Sequence, residues 1–118
     1  MTRVKPEPKQ QQPPRISRED ASTAALLKAV GEPTRLAVLR LLCCGPCSVS
    51  ELNRTIPIDQ SLLSHHLKTL RRSGLVVAER DGRTVRYRIA EPHLDASNPV
   101  DLDLGGVRLR LFPTDVTA

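Results

Sequence analysis

Between Ser48 and Ile89 the chain reads SVSELNRTIPIDQSLLSHHLKTLRRSGLVVAERDGRTVRYRI, and the order of its start and stop signals decides the fold. Ser48 and Glu51 stand at capping-box spacing: the Glu51 amide donates to the Ser48 hydroxyl, and the Glu51 carboxylate reaches back. They open a short helix that ends near Thr55. Ile56, Pro57 and Ile58 make a turn, Asp59 caps a second helix, and Gly74 stops it. On that helix Leu63, Leu67 and Leu70 recur at helical spacing and face inward with His66. Gln60, Ser61, Ser64, His65 and Lys68 face outward. Leu75 to Arg80 and Arg83 to Ile89 read as strands, and the Asp81-Gly82 link between them is a strong hairpin signal. Val85, Tyr87 and Ile89 alternate with Thr84, Arg86 and Arg88, so the second strand has an apolar and a basic face. The succession of helix, turn, helix and hairpin predicts a winged helix-turn-helix, mainly α with a β-hairpin wing (α+β).

Upstream, two further helices complete the unit. Ser17 caps the first, with Glu19 and Asp20 in its first turn. Ala21, Ala25 and Ala29, with Leu26 and Val30, form a small-residue stripe suited to a second subunit, and Gly31 ends it. Pro33 takes the N1 position of the next helix. Leu36, Val38, Leu39, Leu41 and Leu42 make that helix apolar on nearly every side, so it is expected at the centre of the core. Gly45-Pro46 ends it, with Cys43 and Cys44 in its last turn.

The flanks read differently. Residues 1–16 hold Pro6, Pro8, Pro13 and Pro14, a glutamine run and Arg3, Lys5, Lys9 and Arg15. This predicts a disordered basic arm, either a plain solvated tail or one that touches DNA phosphate. Residues 17–90 form the winged helix-turn-helix domain. Residues 91–118 form a C-terminal extension in which Pro92, Pro99, Gly105 and Gly106 break any helix. The alternation of Val107, Leu109 and Leu111 with Arg108 and Arg110 marks one short strand after a loop.

Charge supports a polyanion partner. The 118-residue chain has a formal charge of +5. From Arg54 to Arg88 eight Lys/Arg face three Asp/Glu, whereas from Ile89 onward two face five. A basic central unit beneath a helix-turn-helix is the electrostatic footprint of a nucleic acid. Tyr87 and Phe112 are the only aromatic residues, which argues against single-strand binding, where bases stack on rings. The expected partner is therefore double-stranded DNA, an operator if the chain is a regulator. Gln60 has the amide for a bidentate pair with adenine, and Ser61 and Ser64 reach bases or phosphates. His65 and Lys68 meet phosphate or guanine, and Arg80, Arg83 and Arg86 on the hairpin suit phosphate or the minor groove. A dimer of such units reads two half-sites about one helical turn apart. No signal peptide is visible, and no run approaches the about 18 apolar residues of a membrane span, so a cytosolic location is expected. No nucleophile–base pair, phosphate loop or organic-cofactor fingerprint points to an enzyme.

The run GEPTRLAVLRLL, then SEL, then QSLLSHHLKTLRRSGLV, then RDGRTVRYRI resembles the ArsR/SmtB family of bacterial metal-responsive repressors, over about Ala24 to Ile89. The resemblance implies a homodimeric winged helix that blocks a promoter and dissociates when an inducer binds. It also implies that Gln60, Ser61, Ser64 and His65 contact DNA. Where the arsenic-sensing branch has Cys-x-Cys before the third helix, this chain has Ser48 and Ser50. The zinc- and nickel-type ligands belong to a C-terminal dimer helix, a region that prolines and glycines break here.

Cys43, Cys44 and Cys47 remain. In a reducing compartment they are free thiols, and three thiolates suit arsenite, antimonite or a soft ion such as mercury, cadmium or lead. Cys47, just before a helix N-terminus and set as a staple opposite Leu52, is expected to have a lowered pKa. Cys43 is also readable as core packing. Three functions follow: a repressor released by a thiophilic metal or metalloid at the cysteines, the same repressor with a thiol redox or persulfide switch, or a small thiol metal carrier without a DNA role. His93 with Asp95 is a further metal pair, or an exposed loop histidine.

Overall fold

The computed structural model describes residues 15–94 and 101–111. The expectations for the N-terminal arm, for Asp95 and for Phe112 lie outside these residues. The chain runs α1 (Arg18–Val30), α2 (Pro33–Leu42), β1 (Cys47–Ser48), α3 (Val49–Thr55), α4 (Gln60–Ser73), β2 (Val76–Asp81), β3 (Thr84–Ile89), a 3-10 turn at Glu91–His93, β4 (Asp101–Asp103) and β5 (Arg108–Arg110).

Local chemistry sets the helix ends. Ser17 and Asp20 form a complete capping box on α1, and Ser48 and Glu51 form one on α3. Glu32 takes the N-cap of α2, where its carboxylate accepts from the Arg35 amide at 2.9 Å. Cys43 is the C-cap of α2 and Cys44 lies in the turn beyond, so both stand just past the helix, not in its last turn. The turn between α3 and α4 is clamped by Asn53, whose side-chain amide donates to the carbonyls of Ile56 and Ile58, both at 2.9 Å. At the end of α4, Gly74 sits at φ +86°, and Leu75 N–H returns to the Leu70 carbonyl at 3.2 Å. That left-handed position favours glycine because a Cβ would strain it.

Asp59 occupies the N-cap position of α4 but makes no side-chain cap bond. Its carboxylate instead accepts from the Ser61 hydroxyl at 3.0 Å, so the expected cap is replaced by a side-chain pair.

One apolar core joins the elements. Val38, Leu39 and Leu42 of α2 meet Leu52 of α3 and Leu63, Leu67 and Leu70 of α4, with Leu75, Val76 and Ile89 closing one side. The α4 helix packs on α1, α2, α3 and β2, as its narrow apolar stripe requires. Sheet order is β1-β3-β2, all antiparallel. Asp81 pairs with Thr84, so the wing loop is Gly82-Arg83, one residue later than the sequence implied. Gly82 takes φ +68°, and Arg83 moves to the wing tip.

The C-terminal extension holds more than the single strand expected. Arg108–Arg110 does form a strand, but it pairs with a second one, Asp101–Asp103. The pair is anchored far from its place in sequence. Leu102, Leu104 and Leu111 enter the main core. The buried Thr23 hydroxyl of α1 donates to the Leu104 carbonyl at 3.0 Å and accepts from Gly106 N–H at 3.1 Å. Asp101 is buried and receives Arg110 through two contacts, at 2.9 and 3.3 Å.

Candidate nucleic-acid interface

The buried stripe of α4 divides the helix cleanly. Leu63, His66, Leu67 and Leu70 are inside, and Gln60, Ser61, Ser64, His65 and Lys68 are exposed. Arg71 and Arg72 extend the exposed face as a cationic end. All five outward residues singled out from the sequence therefore share the solvent side of one helix. His66 is held from behind. Arg35 Nη1 lies 3.2 Å from His66 Nδ1 while Arg35 Nε donates to the Ala29 carbonyl at 2.6 Å. Glu32 Oε1 stands 3.8 Å from the same His66 Nδ1. Burial pushes the Glu32 carboxyl up, but the Arg35 amide and the neighbouring His66 outweigh it and leave its pKa lowered. The α1–α2 junction thus braces the buried side of α4.

The hairpin arginines separate into two roles. Arg80 and Arg83 are exposed near the wing tip, and no ion pair engages them among the described residues. Arg86 is turned inward. Its Nη1 lies 3.2 Å from Glu51 and 3.4 Å from the Pro46 carbonyl, and its Nε lies 3.5 Å from Asp81. Its guanidinium is thus committed to joining the wing to the α3 capping box, an arrangement the alternating pattern of β3 did not reveal. The Glu51 carboxyl has a lowered pKa, first through the Ser48 backbone amide and then through Arg86, against some burial. Arg88 is likewise paired, with Glu79 at 2.8 Å. The basic face of the wing is therefore partly self-neutralised, and the cations open to a polyanion concentrate on α4 and the wing tip.

The three thiols lie around the end of α2. Cys43 is half-buried, and burial, then Cys44 and Asp101 nearby, push its pKa from 9.0 up to about 11. Cys44 is exposed, with its Sγ 3.9 Å from the Arg40 carbonyl. Cys47 lies in β1 opposite Tyr87, and its Sγ points to the Gly45 carbonyl at 3.6 Å. Its pKa is raised, not lowered as its place before α3 implied: burial dominates and the Glu51 carboxylate adds to it, with Arg86 opposing. The helix terminus already carries its own anion in Glu51. Among the described residues no three His, Cys, Asp or Glu side chains come together as a metal-holding group. Cys43 and Cys44 instead line an open cleft of about 420 Å³ between the end of α2, the root of β3 and the Glu91–Leu94 segment. His93 bonds through Nδ1 to the Asp103 carbonyl at 2.8 Å. Among the described residues no helix is long and apolar enough to cross a membrane.

Comparison with known proteins agrees with this geometry. The sequence pattern of the bacterial regulatory protein family arsR matches residues 32–77. The transcriptional regulator NmtR of Mycobacterium tuberculosis is 40% identical over 81 residues, 69% of this chain and 68% of its own length. The transcriptional activator HlyU of Vibrio cholerae is 36% identical over 81 residues, covering 75% of its length. The solved structure of HlyU superposes with a TM-score of 0.60 at 38% identity, over 62% of this chain and 79% of that one. The homodimeric winged helix-turn-helix domain of Mb0332 from Mycobacterium bovis matches at 32% identity and TM-score 0.57, over 63% of this chain and 72% of that one.

Proposed function

This chain belongs to the arsR family of bacterial transcriptional regulators, and from that premise we propose that it is a homodimeric repressor whose two α4 helices occupy successive major grooves of an operator, released by a thiophilic inducer. The observation that carries the reading is the exposed face of α4. Its amide, hydroxyl and imidazole groups at Gln60, Ser61, Ser64 and His65 are the donor and acceptor types that read base edges, with Lys68 and the wing-tip Arg80 and Arg83 placed for phosphate. Arg86 acts one step back, by orienting the wing. The dimer reading is supported by Ala21, Ala25 and Leu27, exposed on α1 in the single protomer, and by the homodimeric relative.

For the inducer, the arrangement favours Cys43 and Cys44 over a three-thiolate set. They are adjacent in the chain and line one cleft against the root of the wing, while the Cys47 thiol is turned to the Gly45 carbonyl. Arsenite, antimonite, mercury, cadmium or lead would meet two thiols there. A second reading, a thiol redox switch, is favoured by the exposure of Cys44, and a related HlyU has been solved in a reduced form.

The test is fluorescence anisotropy on DNA from the protein's own promoter. Affinity is expected to fall steeply with salt through counterion release. Arsenite, cadmium, mercury and peroxide are then titrated separately. Release by one metal, lost in Cys43→Ser or Cys44→Ser, supports the metal-induced repressor. Release by peroxide alone moves the assignment to the redox switch. A thiol metal carrier would bind metal yet show no salt-dependent DNA affinity, and that outcome rejects the repressor.

A further inference from the structure

The outward surface of α4 carries one residue that its polar neighbours do not explain. Leu62 is 46% exposed, and among the described residues of α4 and both wing strands it is the only large apolar side chain so open to water. It lies in the first turn of the helix, between Ser61 and the buried Leu63, with His65 and His66 one turn on. At 100° per residue it falls between the outward His65 and the buried His66, outside the stripe of Leu63, His66, Leu67 and Leu70. The core therefore does not use it. A single surface leucine is ordinary, but this one stands in the turn of a recognition helix that reaches base edges first.

Major-groove chemistry offers such a side chain one matching partner. Thymine alone presents a methyl group there, at C5, and apolar contact with it distinguishes thymine from the other three bases. Resting on the DNA-binding reading above, we propose that Leu62 is a specificity-determining residue that packs on a thymine methyl of the operator. It would act beside the hydrogen-bonding residues Gln60, Ser61 and His65. The contact takes apolar surface of both partners out of water and needs no hydrogen bond, so it adds selectivity without competing for the polar edges they read.

The experiment compares promoter DNA containing thymidine with the same DNA in which deoxyuridine replaces it, which deletes only the methyl groups. Anisotropy is measured with the full chain and with Leu62→Ala, whose fold is checked by thermal melting. Loss of the methyl is expected to weaken the unaltered protein roughly fourfold per half-site, the scale of one methyl-sized apolar contact, and so about fifteenfold for a dimer on two half-sites. Leu62→Ala should bind both DNAs alike, at about the weakened affinity. Equal affinity of the unaltered protein for the two DNAs would overturn the proposal. Full deoxyuridine sensitivity in Leu62→Ala would also overturn it, by placing the methyl contact elsewhere. A changed dimer dissociation by sedimentation, with sensitivity intact, would assign Leu62 to contact between copies and overturn it too. Absence of binding to either DNA would remove the parent reading as well, which separates the two failures.

Discussion

The recognition unit, α3 through β3, and the C-terminal strand pair, β4 with β5, both rest on leucines excluded from water. Leu63, Leu67 and Leu70 are at or below 1% exposure, and so are Leu102 and Leu104. The two regions differ in how they are told where to go. Every junction of the first carries its own instruction: the Ser48–Glu51 box, the Asn53 clamp, Gly74, Gly82. The second is placed mainly from a distance, by a threonine 81 residues away in sequence and by core space that the helices leave open. Equal burial can therefore conceal very different amounts of local specification.

The largest expected effect tests whether the burial really is equivalent. Leu67→Ala should cost about 2–5 kcal/mol of unfolding free energy, and Leu102→Ala a similar amount, both read by urea denaturation. If Leu102→Ala leaves the midpoint unmoved, the strand pair is an annex and the comparison breaks. Next, Thr23→Val keeps the volume but strands the Leu104 carbonyl and the Gly106 amide. A loss of about 1–3 kcal/mol is expected. Amide exchange should quicken at Gly106 and stay slow in α4, and uniform quickening would show that the strand pair unfolds with everything else.

The wing supplies a smaller contrast. Removing Arg83, at the tip, should lower the salt slope of DNA binding by about 1 per protomer, about 2 for the dimer. Removing Arg86 should leave that slope nearly unchanged and reduce stability by no more than about 1 kcal/mol, since its ion pairs are partly exposed. Equal slopes for the two variants would mean that Arg86 meets phosphate after all. A pH-dependent effect comes from the Cys43 thiol. The unfolded chain loses this proton near the ordinary 9.0, while the folded chain holds it to about 11. Between those values the folded state binds more protons, so stability falls as pH rises through the window. Cys43→Ala should flatten that slope, and an unchanged slope would place its origin in another group.

Most of the recognition unit was legible because its signals are short-range. Capping spacing, the leucine stripe of α4 and a glycine after each element are read within a few residues. The outward set on α4 follows from the same periodicity. Three features needed the structure. The wing loop lies one residue beyond Asp81-Gly82 because the ladder recruits Asp81, a turn former, to face Thr84. Arg86 looked like a free cation because alternation shows which face a side chain takes and not which carboxylates wait there. At Cys47, burial and the nearby Glu51 carboxylate outweigh the pull of the helix start and raise the pKa. The strand Asp101–Asp103 had no signal at all, since Asp-Leu-Asp is a poor strand former until Arg110 and the core accept its side chains.

The sequence by itself determined the winged helix-turn-helix, the polar outward face of α4 and the basic character of the central unit, because periodicity and capping act between neighbours along the chain. Only the tertiary structure decided that Arg86 braces the wing, that Cys43 and Cys44 line one cleft whose lining does not include Cys47, and that Thr23 clasps the C-terminal strands. Each of those outcomes depends on which groups meet across long sequence separations, and on how much water is removed where they meet.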